Sequence, residues 1–340
     1  MMNKKDKKYT LNNLQQLLVL GLFLMPFIQI TAQPVFTEVA GTPFTGVSYS
    51  AIAFADVDGD GDQDVLITGL DGSSPIAKLY TNNGTGTFTE VVGTPFTGVS
   101  FSSVAFADVD GVNGLDLLIT GQDASYEPIS KLYTNDGSGN FTEVLGTPFE
   151  NVRESSIAFA DVDGVNGLDV LITGSNSSSD KVAKLYINNG SGVFTEAIGA
   201  PFEGASEGSI AFADIDGDNN QDVLVTGISS NGTISKMFVN DGAGNYTEVT
   251  GTPFKGAYFG SATFEDVNGD NYQDVLITGR NNYEDPVAEL YVNDGVGGFT
   301  EVTGTPLEGV ESGAIAFADV DGDLDKDVLI TGLSSGSSTI

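Results

Sequence analysis

Apolar and polar residues alternate along this chain in short runs, and the runs return at a fixed interval. One unit shows the pattern. Phe88–Val91 (FTEV) alternates as a half-exposed strand does. Gly93–Phe96 (GTPF) reads as a turn whose glycine and proline set its geometry. Ser102–Asp110 opens with a strand that carries its larger apolar residues at every second position. Asp116–Gly121 (DLLITG) is nearly all apolar, the pattern of a strand covered on both faces. A variable polar loop leads to Lys131–Asn135 (KLYTN), another short strand, and Asp136–Asn140 (DGSGN) is a tight hairpin turn. Each unit thus predicts four short strands, with no helical pattern beyond the first thirty residues.

An aspartate-rich loop sits inside every unit. The loops begin at Asp56, Asp108, Asp161, Asp214, Asp266 and Asp319, at steps of 52, 53, 53, 52 and 53 residues. So regular a period means one supersecondary unit repeated in space. Four-stranded antiparallel sheets repeated radially make an all-β β-propeller, in which each sheet lies between two others; this explains the apolar central strands. A β-solenoid, with shorter rungs, is the alternative. Five units are complete. The sixth stops at Ser337–Ile340, where the others continue into KLY, and a lone FTEV run (Phe36–Val39) opens the array as the last strand of a blade. That strand is placed to complete the sixth blade. A fragment of a longer protein, with a ring of six or seven blades, is the other reading.

The loops carry the chemistry. In DVDGDGDQD, Asp56, Asp58, Asp60 and Asp64 occupy positions 1, 3, 5 and 9, and Gly61 at position 6 allows a sharp bend. Alternate positions in a tight loop can aim their oxygens at one centre. Calcium takes six to eight oxygen ligands in flexible geometry, whereas magnesium prefers fewer carboxylates and more water. Asp62, at position 7, would offer its backbone carbonyl. An EF-hand would need Glu at position 12 and flanking helices; position 12 here is Ile67, within a strand. The loop from Asp214 keeps Asp216, Asp218 and Asp222, that from Asp266 has Asn268, Asp270 and Asp274, and that from Asp319 keeps Asp321, Asp323 and Asp327. The second and third loops retain Asp108, Asp110 and Asp116, and Asp161, Asp163 and Asp169. They place Val112 and Val165 at position 5, so weaker or altered sites are expected there.

Composition narrows the field. The formal net charge is −34, and 23 of the 47 acidic residues fall within the six loops. Such a chain lacks the cations that phosphate binding needs, which excludes nucleic acid and argues against anionic lipid. There is no Cys and no His. Disulfides are therefore absent, zinc is disfavoured, and the usual acid–base and nucleophile pairs are missing. Residues 1–32 read as a signal peptide: Lys4, Lys5, Lys7 and Lys8 precede an apolar run from Leu17 to Ile30, and Ala32 follows. Pro26 and Gln29 interrupt that run, which is short for a bilayer span. A secreted or surface location is expected, with no membrane insertion after cleavage.

The DxDxDG loops, each set between two strands in AFADVDGDxxxDVLITG, resemble the FG-GAP/VCBS repeat family, which includes the integrin α-subunit propeller. The likeness spans about residues 36–340. It implies structural calcium on the face opposite the usual ligand site. Asp56, Asp58, Asp60, Asp62 (carbonyl) and Asp64 would be ligands, with the matching positions of the other loops.

In a meander, the aspartate loops and DG turns share one face, and the GTPF linkers and variable loops share the other. The first face is nearly the same in every unit. The second varies, in its loops and at Tyr49, Phe101, Arg153, Glu207 and Phe259. Variation on a repeated scaffold is where specificity can be written. The expected function is a non-catalytic binding or adhesion module for protein or glycan, with Tyr49, Tyr126, Tyr258 and Tyr283 able to stack on sugars. The alternatives are a polysaccharide-degrading propeller, for which Arg153 and Arg280 are weak candidate bases, and a spacer in a surface protein.

Overall fold

The structure, a computed structural model, describes residues 39–335 apart from 113, 166 and 324. The expected leader, Phe36–Glu38 of the opening strand and the tail from Gly336 lie outside the described residues. Every regular element is a β-strand. Five sheets have four antiparallel strands in meander order, and a sixth unit contributes a two-stranded sheet. Consecutive sheets pack face to face with their first strands innermost, the arrangement of a propeller.

Blade 2 illustrates all of them. Its strands are Ser100–Ala107, Asp116–Gln122, Pro128–Asn135 and Phe141–Glu143. The second strand is buried almost throughout, as its unbroken apolar run predicts. Alternate residues of the central strands face opposite neighbours. Leu66 and Leu79 of blade 1 form one cluster with Leu117, Ile119 and Tyr133 of blade 2. Leu118 and Leu132, on the other side of blade 2, meet Val170, Ile172 and Tyr186 of blade 3. Burying such side chains stabilises each interface by about 1.5–3 kcal/mol per residue.

The GTPF segment does more than turn the chain. Its phenylalanine packs edge-on against the aromatic of the third strand that follows: Phe96 on Tyr133 at 5.1 Å and Phe149 on Tyr186 at 5.0 Å. The tyrosine hydroxyls accept a linker N–H, from Thr97 and from Glu150. Fourth strands are only three residues long and are pinned by lysine–glutamate pairs from the third strand, such as Lys78–Glu90 at 3.2 Å and Lys131–Glu143 at 3.1 Å.

The two ends of the array differ from its interior. Leu66, Leu118 and Leu171 are fully buried, whereas the matching Leu329 of the sixth unit is 65 % exposed. Ile52 and Phe54, on the outward side of the first blade, are similarly open.

A bulge opens each innermost strand. The pairing register slips between Ser48 and Ala51 and between Ser100 and Ser103. At the bulge one non-glycine residue per unit adopts a left-handed backbone: Tyr49, Phe101, Glu154, Glu207, Phe259 and Ser312, with φ between 48° and 55°. The glycine of each ITG motif makes room, since a Cβ on Gly69 would lie 2.8 Å from the Ser48 carbonyl oxygen. In the third unit the bulge residue is Glu154, not Arg153. Its 53-residue offset from Phe101 equals the step between the two aspartate loops, which moves the variable position by one.

Candidate metal centres

Each aspartate loop connects the first and second strands of a blade and is built on the same hydrogen bonds. The position-1 carboxylate accepts the N–H at position 4, as Asp56 does from Gly59 at 2.8 Å and Asp214 from Gly217 at 2.7 Å. Position 3 accepts from position 5, as Asp163 does from the Val165 N–H at 2.8 Å. The bend expected at position 6 is present. Gly61 has φ 91°, and Asn219 and Asn271 fill the same place with φ 66° and 68°. Asparagine tolerates this region better than most residues.

The position-9 aspartate is the anchor. Asp64, Asp116, Asp169, Asp222 and Asp274 are 0–1 % exposed. One oxygen of each accepts the N–H of loop position 2, and the other accepts the N–H of the asparagine that ends the third strand. For Asp169 these are Val162 at 2.9 Å and Asn188 at 2.8 Å. Two backbone N–H donors hold the carboxylate rigidly at the mouth of the loop.

Carboxylate oxygens converge within 4.8 Å in five loops: Asp56, Asp58 and Asp64; Asp108, Asp110 and Asp116; Asp161, Asp163 and Asp169; Asp214, Asp216 and Asp218; and Asp319, Asp321 and Asp327. The two valine loops therefore keep three converging acids, while Val112 and Val165 stand more than half exposed in place of a fourth donor. Asp60 is not in the first trio; its Oδ1 accepts the Asp62 N–H at 2.9 Å. In the fourth loop Asp222 is outside the trio, held by its two backbone donors. In the sixth, Asp323 accepts the Asp325 N–H. The fifth loop offers Asp266, Asp270 and Asp274 beside the amide oxygen of Asn268, which accepts the Asp270 N–H. All donors are oxygens, a set that suits a hard divalent cation.

Electrostatics agree. Burial pushes the carboxyl pKa of Asp169 and of Asp222 up to about 6, and the neighbouring loop aspartates add to the rise. Asp64, Asp116 and Asp274 rise for the same first cause. A folded pKa above the unfolded value favours the protonated form in the fold. The stability these groups add to cation-free protein is thus complete below about pH 4 and lost as pH rises through about 6. In EDTA, the thermal midpoint is expected to be higher at pH 5 than at pH 7.5; a midpoint that rises over that interval would refute this. With the cation present the slope should flatten or reverse, because the cation needs the carboxylates ionised.

An asparagine at the end of the third strand, with no apparent role in the sequence, ties the loops together. Asn135 Nδ2 donates to the Val57 carbonyl of the preceding blade's loop at 2.8 Å, and Asn188, Asn240 and Asn293 do the same to Val109, Val162 and Ile215. The signal was the recurrence of Asn after KLYT, KLYI, KMFV and ELYV. Arg280, a weak candidate base, is instead ion-paired with Glu284 and Glu311.

A family model for the FG-GAP-like repeat matches residues 56–119, 166–225 and 266–330, each span starting within an aspartate loop. The chain belongs to the FG-GAP-like repeat family. Among solved structures, this FG-GAP repeat protein is similar to the six-bladed fungal lectin of Aleuria aurantia (13 % identity, 87 % of this chain and 92 % of that one, TM-score 0.46). It is also similar to AofleA from Arthrobotrys oligospora (14 %, 81 % and 74 %, 0.41). A third is the V. cholerae biofilm matrix protein Bap1 (16 %, 79 % and 41 %, 0.44). A search of curated proteins finds no match.

Proposed function

We propose that this FG-GAP repeat protein is an exported, calcium-stabilised propeller that binds a protein or glycan without catalysis. The observation that carries this reading is the contrast between its two faces. One face repeats an aspartate loop of the same hydrogen-bond framework in unit after unit. The other carries loops of different sequence and length on the same framework.

Calcium would be held by the position-1, 3, 5 and 9 side chains with the position-7 carbonyl, and it would supply charge neutralisation for carboxylates that otherwise repel one another. Repetition supports a structural role, since chemistry needs one site rather than six. The absence of His and Cys supports a non-enzymatic module. Export rests on the lysines and apolar run of residues 1–32.

Equilibrium dialysis against calcium, followed by metal analysis, is expected to find at least four ions per chain. One ion or none would overturn the calcium reading. Arrays of glycans and of extracellular proteins, each with and without calcium, test the binding role. Retention without product release is expected, and turnover of a polysaccharide would replace this reading with an enzymatic one.

A further inference from the structure

The six left-handed residues sit at the start of the innermost strands, on the face opposite the aspartate loops. The last four of them are linked from blade to blade by backbone hydrogen bonds. The Glu207 N–H donates to the Glu154 carbonyl at 2.8 Å, Phe259 to Glu207 at 2.6 Å and Ser312 to Phe259 at 2.6 Å. Consecutive positions from Glu154 to Ser312 are thus a few ångströms apart around the axis. The rings of Tyr49 and Phe101 stack at 4.2 Å with 26° between their planes.

Glycine would adopt this conformation without strain, and the chain uses glycine at most other positive-φ positions. Here it places two aromatics, two glutamates, a third aromatic and a serine, each carrying a strained backbone. Burial does not account for all of these side chains: Tyr49 is 59 % exposed and Phe259 40 %. Their identities follow no repeat, although the bulge beneath them does.

We propose that this axial ring is the ligand-reading site and that it takes a neutral saccharide. One sugar ring would lie on the Tyr49–Phe101 stack, with its hydroxyls donated to Glu154 and Glu207. This deepens the binding-module reading and rests on it. The chemistry is that of a site with an apolar platform and a few fixed polar groups. Glu154 already has a cation, with Lys181 Nζ at 3.9 Å, and accepts the Ser175 hydroxyl at 3.2 Å. Glu207 is half-buried, and its carboxylate has no hydrogen-bond partner among the described residues. The Glu207 carboxylate is therefore free to accept ligand hydroxyls, and the net negative charge of the two glutamates beside one lysine disfavours an acidic sugar.

The test uses the full chain in calcium on an array of neutral oligosaccharides, followed by calorimetry with whichever of them binds best. Phe101→Gly removes half the platform while relieving backbone strain. It should weaken binding about ten-fold or more and leave the thermal midpoint within a few degrees. Glu207→Ala, a second variant that leaves the bulge backbone intact, should weaken it several-fold. Tyr126→Ala and Tyr283→Ala, on exposed loops of the same face, should change it less than two-fold. Loss of binding in the loop variants but not in Phe101→Gly would overturn the axial assignment. So would an array on which no neutral sugar binds. If a protein ligand is retained in that second case, the broader binding reading stands while this one falls.

Discussion

Transfer from millimolar calcium to excess EDTA lowers the thermal midpoint by roughly 10–15 °C. At free calcium about ten times the dissociation constant, each site adds about 1.4 kcal/mol, and five sites add about 7 kcal/mol. In a domain of about 300 residues, with an unfolding entropy of about 2.1 cal/mol/K per residue, each kcal/mol moves the midpoint by roughly 1.5–2 °C. The loops justify so large an effect, because carboxylates converge within 4.8 Å in five of them and the position-9 acids of the first five blades are buried. Differential scanning calorimetry at pH 7.5 is the measurement, and superimposable traces with and without chelator would end the calcium reading.

The asparagine that spans two blades carries the second large effect. Asn188→Leu should destabilise the protein by about 3 kcal/mol in urea titration. Asn188 is 1 % exposed. Its amide donates to the Val109 and Leu168 carbonyls and accepts the Gly190 N–H. Leucine would fill the space, leave the Leu168 carbonyl and the Gly190 N–H without this partner, and leave the Val109 carbonyl with only the Gly192 N–H at 2.8 Å, which is the costly direction. The Val109 carbonyl belongs to the loop that holds Asp108 and Asp110, so calcium binding in the preceding blade should weaken too. Asn82→Leu is the control. Among the described residues the Asn82 amide makes no bond to another blade, and its Oδ1 accepts the Gly86 N–H at 3.2 Å. Equal costs for the two substitutions would show that the inter-blade bond contributes little.

Much of this architecture was legible in the chain itself. Alternation in FTEV, the unbroken apolar run of DLLITG and the 52–53-residue step define the four strands and their repetition. The aspartate spacing names the loop residues, because a ligand cage is local and its geometry is written in consecutive positions. Three features were not legible. A bulge adds one residue to one strand without disturbing the apolar pattern, so the left-handed residues at its apex are invisible to a period-two reading. Hence the repeat pattern points to Arg153 where Glu154 stands. The asparagine bridge joins residues 78 or 79 apart, and an Asn before Asp-Gly looks like an ordinary turn residue. Likewise GTPF reads as a turn because the partner of its phenylalanine, a third-strand aromatic, lies in a different element.

The three-residue fourth strands, clamped by lysine–glutamate pairs, have a consequence beyond the blade that owns them. They form the rim of each sheet, where unpaired N–H and C=O groups could template pairing with another molecule. So short a rim offers few consecutive backbone groups, and the charges beside it oppose a flat approach. A protein built almost wholly of strands is thereby kept from growing into fibrils one sheet edge at a time.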